Sequence, residues 1–195
     1  MSFTAKMHLM AFVAFTLAIV VLGQKEYLMP HCRLPLHHGV TEKCTNTSEI
    51  RYHMDVETDT CLAFRYTGCG GNANNFKTSS ECYRCFAMDY SGCPVASPRV
   101  PSKNNMTICN SPMSEKCDGK DAYCQNGAFF GQCCDSKIRD KLRADESTEC
   151  GPTMKKYQRK SGSFETTLLG KSCASNFCPV DTKCQQGNYF AYCCA

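Results

Sequence analysis

Eighteen of the 195 residues are cysteine, and this density constrains the chain more than any other feature. A reducing compartment keeps thiols free and gives a fold little reason to accumulate them, so an even number at this frequency predicts a disulfide framework built under oxidising conditions. The cysteines fall at 32, 44, 61, 69, 82 and 85; at 93, 109, 117, 124, 133 and 134; and at 150, 173, 178, 184, 193 and 194. Segments this short bury too little apolar surface to be secure unaided. Each group of six therefore predicts three internal bridges, worth about 2–4 kcal/mol apiece.

The N-terminus agrees with that compartment. Met1 to Lys6 carries one lysine, Leu9 to Leu22 is apolar except for Thr16, and Val21 and Gly23 suit the small-residue positions of a cleavage site. This predicts a signal peptide over 1–23 and a mature chain from Gln24. The run falls short of the roughly 20 apolar residues that span a bilayer, and no second one follows. A secreted, extracellular protein without a membrane partner is expected. With 22 Lys+Arg against 18 Asp+Glu, the net charge of +4 is too small and dispersed to form a nucleic-acid footprint.

The second and third groups repeat each other. Cys124-Gln-Asn-Gly127-Ala-Phe129-Phe130-Gly-Gln-Cys133-Cys134 aligns position by position with Cys184-Gln-Gln-Gly187-Asn-Tyr189-Phe190-Ala-Tyr-Cys193-Cys194, which reads as an internal duplication. Pro94 to Asn105 reads as extended loop, and the charged stretch from Asp135 to Glu149 as a linker or a short solvated helix. The organisation expected is a first domain over 24–90, a first cysteine-rich repeat over 91–147 and a second over 148–195.

In the first unit, Ile50 to Val56 and Leu62 to Tyr66 alternate apolar and polar residues around the turn-prone Glu57-Thr-Asp-Thr60, predicting a hairpin with one buried face. Thr78-Ser-Ser-Glu81 fits a capping box and starts a helix from about Ser79 through Cys82 and Cys85. Cys61-Leu-Ala-Phe64-Arg-Tyr66-Thr-Gly68-Cys69-Gly70-Gly71-Asn72-Ala-Asn74-Asn75-Phe76, followed by Glu81-Cys82, resembles the signature of the Kunitz family, the pancreatic trypsin inhibitor type. The fold class is then a small disulfide-rich α+β protein: a Kunitz domain of hairpin and C-terminal helix, followed by two irregular six-cysteine repeats. The resemblance implies the pairings Cys32 to Cys85, Cys44 to Cys69 and Cys61 to Cys82.

It also implies a partner and a mechanism, in which a rigid loop is presented to a chymotrypsin-fold serine protease. The residue after the second cysteine, here Thr45, enters the specificity pocket, and Thr45 and Asn46 flank the candidate inhibitory bond. Several features depart from the family. Between Cys32 and Cys44 lie 11 residues, a longer stretch than usual, and Gly39 stands farther from Cys44, which predicts that the tight approach to the loop is lost. A looser loop must be ordered on binding. Thr45 lacks the positive charge that a trypsin pocket selects, and suits an elastase-like pocket better. Asn46-Thr47-Ser48 is an N-glycosylation sequon on the surface a protease would approach, and Asn105-Met106-Thr107 is a second. Finally, Cys82 and Cys85 are closer than the family spacing, which predicts a distorted last helical turn.

The C-terminal repeats resemble the lustrin-type cysteine-rich repeats that accompany Kunitz domains in secreted nematode proteins, through Cys178-Pro179-Val-Asp-Thr-Lys-Cys184 and the terminal Cys-Cys pairs; Asp118 replaces the proline after Cys117. No catalytic constellation appears, so the chain is not expected to be an enzyme or to need a cofactor. His31, His37 and His38 near Cys32 read as loop histidines, not as a metal site. Gly68, Gly70 and Gly71 serve close backbone packing and not phosphate binding. Phe129, Phe130, Tyr189 and Phe190 are expected in a miniature core. Lys155-Lys156-Tyr-Gln-Arg159-Lys160 reads as a solvated basic loop, with a grip on an anionic matrix polysaccharide as the alternative. The functional expectation is a secreted glycoprotein of an extracellular matrix or cuticle, in a moulting setting, acting on or with serine proteases with weak or absent trypsin inhibition. The alternatives are an inhibitor of elastase-like or chymotrypsin-like enzymes and a purely structural matrix protein; a channel-blocking toxin ranks below both.

Overall fold

Strand β1 (Glu49–Asp55) and strand β2 (Thr60–Tyr66) form an antiparallel hairpin in register from Glu49↔Tyr66 to Asp55↔Thr60. The computed structural model describes residues 25–86, 92–102, 104–109, 116–161 and 163–195, so the expected signal peptide lies outside the described residues. The hairpin corrects the one-face expectation: Tyr52, His53 and Met54 are all buried, as are Cys61 through Phe64. A strand covered on both faces loses the outward polar positions that alternation assumes. Tyr52, Met54, Cys61 and Ala63 face one core, while Phe64 meets the rings of His38, His53 and Tyr66.

Helix α1 (Ser79–Tyr83) starts where the Thr78 side chain accepts a hydrogen bond from the Glu81 N–H at 3.1 Å. The Glu81 carboxylate reaches back one residue farther than in a standard capping box, to the N–H of Lys77. Beyond the helix the chain tightens: Arg84 N–H bonds Glu81 O and Cys85 N–H bonds Cys82 O, both across three residues. In such a 3₁₀ turn the third residue on returns to the same side of the axis. The shortened Cys82–Cys85 spacing is absorbed in this way, and Cys85 joins Cys32 while Cys82 joins Cys61.

The second unit holds a sheet of order β3-β5-β4 from β3 (Ile108–Cys109), β4 (Ala122–Asn126) and β5 (Gly131–Asp135). The third has a ribbon of β6 (Gln158–Ser161) and β7 (Phe164–Thr167), then β8 (Leu169–Gly170), β9 (Lys183–Gln186) and β10 (Ala191–Cys194). Its bridges are Cys150–Cys194, Cys173–Cys184 and Cys178–Cys193, and those of the second unit are Cys93–Cys134, Cys109–Cys124 and Cys117–Cys133. In every unit the first cysteine pairs with the sixth, the second with the fourth and the third with the fifth. In the second and third units the tandem cysteines on β5 and β10 serve this pattern, because neighbours on a strand point to opposite faces and so reach different partners, whereas in the first unit Cys82 and Cys85 reach theirs from the helix and the turn after it.

The first and third units share one sheet, of order β1-β2-β8-β10-β9, through a parallel pairing of Ala63 with Gly170. They also share one core, in which Leu28, Met54 and Cys85 pack with Leu168, Phe177 and Ala191. A Cβ at Gly170 would collide with the Phe177 ring, so a bare glycine admits that fully buried phenylalanine. Polar ties cross the same boundary. Arg159 donates to Ile50 O and lies over the Tyr52 ring, and Lys171 pairs with Asp55 at 2.9 Å and Glu57 at 2.7 Å.

The charged linker folds as α2 (Ser136–Glu146), capped by the Asp135 carboxylate, which accepts from Lys137 N–H. The helix is docked and not merely solvated. Asp145 is 1% exposed, and its carboxylate accepts from the N–H groups of Asn188, Tyr189 and Phe190 in the β9–β10 turn. Lys156, 4% exposed, donates to Ala144 O and Asp145 O at the helix C-terminus and sits 3.9 Å from the Tyr192 ring centroid. A cation there meets orphan carbonyls and the negative end of the helix dipole. Thus Lys156 and Arg159 are internal fasteners, which corrects the reading of the 155–160 stretch as a solvated basic loop. The aromatic pairs also part: Phe190 is buried and Tyr189 half-buried, whereas Phe129 and Phe130 are 88% and 44% exposed, so of these four rings only those of the third unit pack inward as expected.

Candidate protease-facing loop

Residues 34–48 run over the open end of the β1–β2 hairpin and are fastened at several points. Asn74, 1% exposed, accepts from Met54 N–H and donates to Met54 O and Leu34 O, and Asn72 donates to Pro35 O. Two side-chain amides therefore tie the entry of the loop to the scaffold. At its middle, Thr67 N–H bonds His38 O at 2.9 Å and Val40 N–H bonds Cys69 O at 2.9 Å, with Gly39 between them.

Gly39 has φ +90°, and a Cβ there would collide with Thr67 Oγ1 and lie 2.5 Å from Cys69 O. The close approach that the longer Cys32–Cys44 interval led us to expect lost is therefore kept. The extra length is taken up after Gly39, in a turn closed by Cys44 N–H to Thr41 O, with Lys43 at φ +57°. Its cost is backbone strain at a non-glycine residue.

Cys44 pairs with Cys69, and the next residues, Thr45 to Ser48, are exposed. Asn46 donates from Nδ2 to Gly68 O at 2.8 Å, and its Cβ lies where a side chain on Gly68 (φ +97°) would project. Thr45 thus stands exposed between two braces, the disulfide before it and the Asn46–Gly68 bond after it. The bracing role of Asn46 was hidden behind the sequon that contains it. Asn105, of the second sequon, is exposed in a turn at φ +63°, its N–H bonding Ser102 O.

The histidines do not converge. His37 Nδ1 accepts from Gly39 N–H, and His38 Nδ1 donates to Arg65 O. His31 lies within 4.8 Å of the sulfurs of Cys32 and Cys85, but both sulfurs are spent in a disulfide, which leaves one imidazole and no ligand set. Arg65, which sequence reasoning passed over, links this end of β2 to the third unit by donating to Asn176 O and Cys178 O at 3.1 and 2.8 Å. Partners more than a hundred residues away leave no local signal.

Comparison with known proteins agrees with this scaffold. Residues 31–86 match the Kunitz/bovine pancreatic trypsin inhibitor domain. The chain is 32% identical over 183 residues, 91% of its length and 92% of the relative's, to the major allergen Ani s 1 of Anisakis simplex. The chain belongs to the Kunitz family. A second relative of similar extent, the BPTI/Kunitz inhibitor domain-containing protein C02F12.5 of Caenorhabditis elegans, is 30% identical over 92% of this chain and 98% of its own. The Kunitz part alone is 41% identical over 54 residues, 28% of this chain and 88% of the relative, to the Kunitz-type serine protease inhibitor homolog delta-dendrotoxin of Dendroaspis angusticeps. Similarity to the two nematode proteins runs through the cysteine-rich units, so the Kunitz domain and its C-terminal partners recur together.

Proposed function

We propose that this is a secreted Kunitz protein that presents Cys44–Ser48 to a chymotrypsin-fold serine protease, with Thr45 in the specificity pocket and weak or absent inhibition of trypsin. The supporting observation is the exposure of Thr45 between the Cys44–Cys69 bridge and the Asn46–Gly68 bond. Bracing on both sides lowers the entropy lost on binding, which favours association. The side chain at the tip sets the preference, and an uncharged β-branched residue offers trypsin no ion pair while suiting a small apolar pocket. Titrating the oxidised full-length protein against trypsin-like, chymotrypsin-like and elastase-like enzymes tests this. Elastase-like inhibition with trypsin spared supports it; nanomolar trypsin inhibition would overturn it.

The setting we propose is an extracellular matrix or cuticle, with glycans on Asn105 and Asn46. Asn46 uses one amide hydrogen toward Gly68 O, which leaves the other for a glycan. The second reading, a purely structural matrix module, draws on the way the third unit extends the Kunitz sheet. Under that reading Thr45→Asp, whose charge a small apolar pocket does not accept, leaves the organism's matrix intact while loss of the chain weakens it.

A further inference from the structure

The duplicated units end in equivalent hairpin turns, and only one of the two is filled. In the third unit Gly187 N–H bonds Phe190 O at 2.8 Å, and the next three N–H groups, of Asn188, Tyr189 and Phe190, converge on the Asp145 carboxylate at 2.8, 2.7 and 3.1 Å. A Cβ on Gly187 would strike that carboxylate, so the glycine is part of the seat. In the second unit the same closing bond joins Gly127 N–H to Phe130 O at 3.0 Å, between strands in the matching register Cys124↔Cys133. There the N–H groups of Ala128, Phe129 and Phe130 meet no acceptor among the described residues, and Phe129 is 88% exposed.

We propose that the Gly127–Phe130 turn is a docking site for an Asp or Glu carboxylate on a partner protein, with the exposed Phe129 and Phe130 rings packing beside it. The assignment rests on the twin: the same glycine-led turn already holds a carboxylate from a charged helix elsewhere in this molecule. Three N–H groups aimed at one carboxylate give charge-assisted hydrogen bonds, roughly twice as strong as neutral ones. The helix that supplies Asp145 cannot serve both turns, since its N-terminal half is held on the second unit by Lys137–Asp121 and by Arg139 over the Tyr123 ring. Among the described residues no other carboxylate reaches this turn, and the occupant we assign to it is a carboxylate on another protein.

Amide NMR of the full-length oxidised protein, titrated with an end-blocked peptide of the 136–149 sequence, tests the site. Saturable shifts at the amides of residues 128–130, with those of 188–190 unmoved because Asp145 already fills that turn, are the expected result. The Asp145→Asn version of the peptide should bind about tenfold more weakly. Phe129→Pro in the protein, which deletes the central donor, should abolish the shifts. Phe129→Ala, a change at an exposed side chain that keeps all three donors, should retain them at reduced affinity and guards against misfolding of the proline variant. Absence of shifts, equal binding of the Asn peptide, or reproduction of the shifts by acetate at the same concentration would overturn the proposal. Shifts that depend on protein concentration alone would overturn it too, by making the occupant a second copy of the chain.

Discussion

His53 is 4% exposed, packs edge-on against the Phe64 ring, and has no partner for its Nε2. Burial lowers its pKa below 6.5; Asp55 and the hydrogen bond with the Met54 backbone oppose the shift, and Lys171 and His38 add to it. The unfolded chain binds this proton near pH 6.5 and the folded one only at lower pH. Stability from this residue is therefore full above pH 6.5, falls as pH drops toward the folded value and flattens below it. Thermal melts between pH 7 and 5 should show this loss, about 1.4 kcal/mol for each pKa unit of separation, and His53→Gln should remove that part of the slope. A second residue-scale case is Asp145, whose carboxylate faces three backbone donors. Asp145→Asn would turn an amide NH₂ toward donors, and should cost about 3 kcal/mol in urea unfolding with faster exchange of the 188–190 amides. At the loop tip, Thr45→Lys should raise trypsin inhibition at least tenfold, read by inhibitor titration, because the missing charge is the feature that spares trypsin.

At the scale of elements, what was legible and what was not follows the range of the interactions. The hairpin, the Thr78 cap and the division of the cysteines rest on contacts within a few residues or on composition, and each has a readable signature. The two-sided burial of β2 depends on the third unit arriving from a hundred residues away, and no pattern within Thr60–Tyr66 announces it. Asp145 and Lys156 are similar: each looks like a solvated charge in sequence, and each is buried because its partner is a set of backbone groups, which sequence does not mark. Gly39 shows the converse, since spacing alone suggested a slack loop while its contacts with Thr67 and Cys69 hold the loop close. Gly39→Ala should therefore destabilise the loop by about 1–3 kcal/mol through strain at positive φ and the clash. Faster exchange of the Val40 and Thr67 amides, with α1 unaffected, would register it.

For the whole molecule, separate sets of disulfides coexist with a core that belongs to two of them. Bridges act within each unit, yet the β2–β8 pairing, the Phe177 seat on Gly170 and the Arg65, Arg159 and Lys171 ties make the first and third units one packed body. Units joined only by exposed linkers would open independently, whereas units sharing a buried core open together. Phe177 tests which holds, since it is chemically remote from the Kunitz segment and fully buried against it. Phe177→Ala removes a large ring from a packed core and should cost about 3–5 kcal/mol. The informative readout is where that cost appears. Exchange should accelerate at the β1–β2 hairpin amides, in the Kunitz domain, as well as at β8 and β10, and all bridges should remain intact by mass. If only the third-unit amides accelerated, the shared sheet would be a contact between independent domains, and the Kunitz scaffold would owe its stability to its own three bridges.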